Sequence, residues 1–107
     1  MKVTLDNYKD LIPKDNQLLM HALLEDLNEL NTELENLQEP YRKLYIDYIT
    51  EHTEYSTERT DPCPDYYGMY RLRFEKNPYE TVGLEMTIKE LDNVLCVLIN
   101  FTEFKLS

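Results

Sequence analysis

Apolar side chains recur along residues 15–41 with the period of an amphipathic helix. Successive members of this series are three or four residues apart, a spacing that keeps them on one side of a helix. Pro40 disfavours helical geometry in the residue before it, so we expect the helix to end near Gln38. Asp15 or Asn16 is the expected N-terminal cap. The leucine seam consists of Met20, Leu23, Leu27, Leu30, Leu34 and Leu37.

A second helical series begins at Pro40, a residue type that is favoured in the first turn of a helix. The sequence therefore predicts a second helix that reaches about Tyr55. Its tyrosine-rich face would pack on the leucine seam, so that the two helices form a hairpin. The face contains Tyr41, Leu44, Tyr45, Tyr48, Ile49, His52 and Tyr55.

The first fourteen residues are compatible with two local structures. Val3, Leu5 and Tyr8 suit a short strand. The segment Thr4–Ile12 equally suits a short helix that ends before Pro13 and carries its apolar residues on one face. We favour the helix.

The middle of the chain predicts a loop followed by a β-hairpin. Residues 56–68 are rich in Thr, Asp and Pro, a composition that is typical of loops. Strict alternation of apolar and polar residues then occurs twice, on either side of Asn77-Pro78, and indicates two half-buried strands. The expected inward residues are Tyr70, Leu72 and Phe74 in the first strand and Val82, Leu84 and Met86 in the second.

The last third of the chain predicts a helix over residues 87–101. Thr87 and Glu90 have the spacing of a capping box, in which each side chain accepts a hydrogen bond from the other residue's backbone N–H. The alternative is a third strand from Val94 to Phe104, because that segment begins with a continuous apolar run. We favour the helix. The predicted architecture is one small acidic α+β domain over residues 1–107, with a helical hairpin, an antiparallel β-hairpin and a C-terminal helix.

Charge is distributed very unevenly along this pattern. The chain has 21 acidic and 11 basic residues, a net charge of −10, and residues 15–41 hold seven carboxylates without any Lys or Arg. Direct binding to nucleic acid is disfavoured because phosphate contacts require cations, and binding to an anionic membrane is disfavoured for the same reason.

The acidic residues of the first long helix form a row. Glu25, Glu29 and Glu33 are four residues apart, and like charges at this spacing destabilise a helix. We interpret the row as an interaction surface; the alternative is a solvated face of an acidic protein. The residues of this proposed surface are Glu25, Asp26, Glu29, Glu33 and Glu35. The loop supplies a second candidate contact region, comprising Asp61, Asp65, Tyr66 and Tyr67.

Motifs for chemistry are absent from the sequence. Neither His21 and His52 nor Cys63 and Cys96 have the spacing of a metal site, and only two glycines are present, too few for a Gly-rich phosphate loop. We therefore predict no catalytic residues, no metal and no cofactor. Two cysteines do not form a disulfide framework, so we expect reduced thiols in a cytoplasmic protein, although the sequence leaves their pairing open.

These observations favour a non-enzymatic inhibitor that imitates a nucleic acid and occupies the basic surface of a nucleic-acid-processing protein. In size and charge the chain resembles small acidic inhibitors from phages and mobile elements, of the anti-CRISPR, anti-restriction and glycosylase-inhibitor types, although no motif is shared. Two alternatives remain: a structural or adaptor protein that forms a homodimer through the leucine seam, and an immunity protein for a cationic toxin. The first of these predicts a homodimer, whereas an inhibitor can be a monomer.

Overall fold

Across its described residues, the protein has an α+β fold of three helices and a three-stranded antiparallel sheet. A computed structural model describes residues 1–36, 43–52, 66–77 and 80–106. In chain order the elements are α1 (Tyr8–Leu11), α2 (Lys14–Asn36), β1 (Lys43–Tyr48), β2 (Tyr70–Asn77), β3 (Glu80–Met86) and α3 (Ile88–Leu106). The sequence-based prediction of an α+β fold is confirmed.

The leucine seam of α2 forms the centre of the hydrophobic core. Met20, Leu23, Leu27 and Leu30 are at most 5% exposed, and Leu24 widens the buried face as well. These side chains pack in one cluster with residues of the sheet and of α3. The described part of the seam is therefore used inside the monomer.

The predicted second helix is wrong, and with it the helical hairpin. Residues 43–48 form strand β1, in which Leu44 and Ile46 are buried while Tyr45 lies on the opposite face. The apolar residues of this segment fit a helical period as well as an alternating one, because Leu44 and Tyr48 are four apart while Leu44 and Ile46 are two apart. Pro40 lies outside the described residues.

A side chain from α2 stabilises the start of β1. The carboxamide of Asn31 donates to the carbonyl oxygen of Leu44 and accepts from its backbone N–H, both at 3.0 Å. Asn31 therefore makes the two hydrogen bonds that a neighbouring strand would otherwise make with the backbone of Leu44. A contact of this kind depends on the folded arrangement and leaves no pattern in the local sequence.

The sheet has the order β1-β2-β3. Ile46 lies opposite Leu72, which in turn lies opposite Leu84, so these three residues share the face that carries the core. The opposite face carries charged residues. Val82 and Leu84 were predicted to point inward, and the strand itself is confirmed, but their side chains are 65% and 60% exposed. The helices leave this part of the sheet uncovered at its β3 edge.

The N-terminus combines the two predicted possibilities. Only Tyr8–Leu11 is α-helical, and Leu5, which was expected on the buried face of a longer helix, is 39% exposed. Before it, the backbone N–H of Val3 donates to the carbonyl oxygen of Ile46 at 2.8 Å, as in a sheet. The first residues thus extend the β1 edge.

The start of α2 differs slightly from the prediction. The helix begins at Lys14, so Asp15 and Asn16 lie in its first turn instead of capping it. Asn16 instead donates a hydrogen bond from its side chain to the hydroxyl of Tyr70 at 3.2 Å, which links the helix to β2.

The C-terminal helix is confirmed, and the alternative of a third strand over Val94–Phe104 is wrong. Thr87 and Glu90 form the predicted capping box: the Glu90 N–H donates to the Thr87 hydroxyl at 3.2 Å, and the Thr87 N–H donates to the Glu90 carboxylate at 3.4 Å. The helix continues to Leu106, five residues beyond its predicted end.

Candidate interaction surface

The predicted acidic surface lies on the outward side of α2. Glu25, Asp26, Glu29 and Glu35 are exposed, and Glu33 is half-buried. All five belong to the same helix as the leucine seam, so the packing of the seam against the core fixes the direction in which they point. The helix therefore presents a carboxylate-rich side that is held rigidly by its buried side.

The acidic row does not act as a unit, because Glu25 is engaged by its own helix. Its carboxylate lies 2.7 Å from Nε2 of His21, and Nδ1 of His21 lies 2.8 Å from the hydroxyl of Tyr8. A neutral imidazole satisfies both contacts when it accepts from Tyr8 at Nδ1 and donates to Glu25 at Nε2. Glu25 is thus the end of a series of polar contacts that links α1 to α2.

The next turns of α2 form one wall of a groove against α3. The groove has a volume of about 280 Å³. Asp26, Glu29 and Glu33 line it from α2, and Glu103 lines it from α3. The remaining lining residues are Leu30, Cys96, Ile99 and Asn100. We call this feature the acidic groove.

The acidic groove is a concentrated negative site. Within the described residues, none of its four carboxylates has an ion-pair partner, and its lining contains neither Lys nor Arg. Its walls are two helices that contact each other, so the fold places the four carboxylates along one groove. Mutual repulsion of this kind favours binding of a positive group.

Sequence reasoning missed the α3 wall of the groove. Cys96, Asn100 and Glu103 follow one another at helical spacing, which is a usable signal once α3 is known to be a helix. Glu103, however, lies beyond the predicted helix end at residue 101. Without a long α3, its carboxylate could not be placed beside α2.

The acidic residues of the sheet contrast with those of the groove because they are paired. Arg73 donates to Asp47 at 2.9 Å and lies 3.5 Å from Glu75, while Arg71 donates to Glu85 at 2.8 Å. These two arginines thus neutralise acidic neighbours on the sheet.

Further cations gather around Tyr45 on this outer face of the sheet. The Lys2 Nζ lies 4.1 Å and the Arg73 Cζ 4.8 Å from the centre of the Tyr45 ring. Lys43 approaches the same ring at 5.4 Å. Cations over an aromatic face are stabilised by its negative quadrupole. Lys2, Lys43 and Arg73 thus gather on the face of the sheet that points away from the core and from α2.

The predicted loop contacts are only partly described. Asp61 and Asp65 lie outside the described residues, as does Cys63. Tyr66 is half-buried, and Tyr67 is 52% exposed, with its ring stacked on His52 at a centroid distance of 4.1 Å. Neither tyrosine lines the acidic groove. The structure therefore does not bring the loop tyrosines and the groove carboxylates into one site.

The described ranges contain neither a metal-site geometry nor a membrane-spanning helix. No group of three or more His, Cys, Asp or Glu side chains there is arranged to hold a metal ion. Cys96 is a free, exposed thiol. None of the helices in the same ranges has the length and apolarity needed to cross a membrane.

Comparison with known proteins gives no relative. No protein family, curated protein or solved structure matches this chain.

Proposed function

We propose that this protein is a non-enzymatic inhibitor that occupies the basic, nucleic-acid-binding surface of a target protein. The observation that carries the proposal is the acidic groove, in which four carboxylates lie without a described ion-pair partner between two packed helices. Folding alone does not require this arrangement. Like charges four residues apart on a helix cost a few tenths of a kcal/mol per pair, and Asp26, Glu29 and Glu33 are joined in the groove by Glu103.

The pairing of the arginines on the sheet supports the same proposal. Arg71 and Arg73 are paired with acids of the sheet, so they do not weaken the field above α2. A negative surface of this kind steers a positive partner toward it and accelerates association by about 10- to 1,000-fold in other systems. The partner expected from this chemistry is a protein whose own ligand is a polyanion.

The spacing of the carboxylates suits a row of cationic side chains. Glu29 and Glu33 are separated by about 6 Å of helical rise, and Asp26 precedes them by one turn on the same side. Lys and Arg side chains that grip successive phosphates of a nucleic acid can meet such a row. The groove would thereby deny the target its substrate without any chemical step.

A charge-reversal variant of the groove tests this mechanism. The groove variant carries Glu29→Lys, Glu33→Lys and Glu103→Lys; Glu25 is retained because it holds His21. A control variant carries Asp6→Lys, Asp10→Lys and Glu51→Lys, which cause the same change of net charge at exposed positions away from the groove. Circular dichroism and thermal unfolding should confirm that both variants fold.

Each protein is then immobilised and exposed to lysate of the host at low and at high salt, with recovered partners identified by mass spectrometry. We expect the wild type and the control variant to retain a nucleic-acid-binding protein that is released by salt and by added DNA or RNA. The groove variant should bind that partner at least about tenfold more weakly. Equal retention by all three proteins would refute the acidic groove as the binding site, and recovery of a secreted cationic toxin would instead support an immunity protein.

A further inference from the structure

The two edge strands of the sheet differ in how much of their outward backbone is hydrogen-bonded to the rest of the chain. At the β1 edge, Val3 donates its backbone N–H to the carbonyl oxygen of Ile46 at 2.8 Å. The backbone N–H of Tyr48 donates to the carbonyl oxygen of Met1 at 2.8 Å, and the terminal amino group of Met1 donates back to Tyr48 at 3.0 Å. With Asn31 at the start of the strand, this edge is closed to another chain.

The β3 edge has no such cover among the described residues. Hydrogen-bonding direction alternates along an antiparallel strand, and the even-numbered residues of β1 make its outward bonds. Carried through the observed register, this alternation turns the backbone N–H and C=O groups of Thr81, Gly83 and Glu85 outward from β3. Beside them, the side chains of Val82 and Leu84 are 65% and 60% exposed on the core face of the sheet.

An edge of this composition is the kind of strand that pairs with another strand. Natural sheets usually protect a free edge with charges, proline, a bulge or a covering segment. On its core face, the centre of β3 has none of these protections. The side chains of Val82 and Leu84, which are neighbours on that face, are exposed instead. Backbone bonds and apolar burial would therefore both favour an added strand.

The sequence of β3 is complementary to itself in the antiparallel direction. A two-fold axis at Gly83 places the Gly83 residues of two copies opposite each other, with their outward N–H and C=O groups facing. In that register Val82 lies opposite Leu84 of the second copy, and the reverse pair forms by symmetry. Such apolar cross-strand pairs stabilise antiparallel sheets.

The charges of β3 are compatible with this register. Glu85 lies opposite Thr81 of the second copy instead of opposite another carboxylate, and it is already paired with Arg71 at 2.8 Å. The absence of a side chain at Gly83 matters as well, because a Cβ there would lie 2.7 Å from Cδ of Arg71. Glycine at this position therefore leaves room for the Arg71 side chain that pairs with Glu85.

From these observations we infer that β3 is a self-association surface, through which two copies of this chain join by antiparallel β3–β3 pairing. The product is a dimer with a continuous six-stranded sheet, three strands from each copy. Val82 and Leu84 of both copies form a shared apolar strip across it. This surface is separate from the acidic groove and does not depend on the proposed inhibitory function.

Sedimentation velocity over a concentration series tests the inference. The monomer mass is 12.9 kDa, and the wild type should shift toward twice that mass as its concentration rises. Added NaCl should strengthen the dimer, because each copy carries a charge of −10 and salt screens their repulsion. Salt should act in the opposite direction on binding of a cationic partner at the groove.

Three variants separate the β3 edge from general effects on the surface. Leu84→Lys places a cation in the apolar strip, and Thr81→Pro removes an outward N–H without removing a bond to β2, which is where proline is tolerated in a sheet. Leu18→Lys is the matched control, since Leu18 is 87% exposed on α2. We expect the first two to raise the dissociation constant of the dimer by more than about tenfold and the control to leave it unchanged.

Hydrogen exchange supplies a second readout if a variant folds poorly. In the wild type, the amides of Thr81, Gly83 and Glu85 should become more protected as protein concentration rises, while the β1 edge should not change. A wild type that stays monomeric at high concentration and high salt would overturn the inference. A dimer that survives both Leu84→Lys and Thr81→Pro would overturn it as well.

Discussion

At the scale of single residues, this fold depends on polar side chains that join distant segments. Asn31 replaces a missing strand neighbour for Leu44, and Asn16 donates to the hydroxyl of Tyr70 from the start of α2. Neither contact has a signature in the sequence, since both partners are far apart in the chain. The burial of Tyr70, by contrast, is predictable from the sequence. The alternation along β2 predicts that its side chain points inward, and the residue is 2% exposed.

Tyr70 also makes stability depend on pH. Burial raises the pKa of its hydroxyl above the usual 10.0, the charge on nearby Tyr48 raises it further, and the hydrogen bond from Asn16 opposes both. The folded protein therefore keeps this proton at alkaline pH, where the unfolded chain releases it. Its contribution to stability is complete below about pH 10 and is lost as the pH rises through the raised pKa.

Two substitutions isolate this effect. We expect Tyr70→Phe to lower the free energy of unfolding at neutral pH by about 0.5–1.5 kcal/mol, because the hydrogen bond to Asn16 is lost. The same variant should lose less stability than the wild type between pH 9 and pH 11, measured by urea denaturation at each pH. Asn16→Ala removes the same bond but keeps the hydroxyl, so it should retain the alkaline loss; identical pH profiles for the wild type and Tyr70→Phe would contradict this account.

At the scale of elements, strong local signals predicted the observed helices and strands, whereas the segment of β1, whose apolar residues fit two periods, was predicted wrongly. The leucine seam predicted α2, alternation predicted β2 and β3, and the Thr87–Glu90 capping box marked the start of α3 within one residue. The apolar residues of strand β1 satisfy both periods, so the sequence predicts a helix where the structure has a strand. Its strand conformation is fixed by contacts with the N-terminal residues and with Asn31. These are contacts between elements of the fold, which the local sequence does not encode.

The same limit explains the candidate site. The α2 half of the acidic groove was predictable from its row of carboxylates, whereas the α3 half required knowledge that α3 extends to Leu106 and packs beside α2. Glu25 was predicted as part of the row, but its contact with His21 depends on the position of Tyr8 in α1. Sequence alone gave the charge of the surface but not its shape.

The position of the leucine seam leads to a prediction for α2. Leu30 is 1% exposed in the core, whereas Leu18 on the same helix is 87% exposed. Leu30→Ala should therefore lower the free energy of unfolding by about 2–5 kcal/mol, because it removes buried methyl groups and leaves a cavity. Leu18→Ala makes the same chemical change at the surface and should stay within about 0.5 kcal/mol of the wild type. Equal losses in urea denaturation would mean that the seam does not form the core of the monomer.

At the scale of the whole molecule, the ion pairs of the sheet and the carboxylates of the acidic groove lie on opposite sides of one core. The described arginines of the sheet hold Asp47, Glu75 and Glu85, and the carboxylates of the acidic groove remain without such partners. Attraction on the sheet and repulsion in the groove respond to salt in opposite directions. The response of stability to salt therefore reports which of the two dominates.

We expect repulsion to dominate, because the chain carries a net charge of −10 and surface ion pairs contribute only about 0–1 kcal/mol each. Raising NaCl from about 0.01 M to about 0.15 M shortens the Debye length from about 30 Å to about 8 Å. The midpoint of urea denaturation should rise over this range at a fixed, low protein concentration.

Glu33→Gln removes one groove charge with little change of shape, so it should raise the midpoint at low salt and reduce its dependence on salt. Glu75→Gln, which instead removes a paired charge on the sheet, should lower the midpoint at low salt. If the midpoint falls with salt in the wild type, the ion pairs of the sheet outweigh the groove, and the groove carboxylates are too well solvated to repel one another strongly.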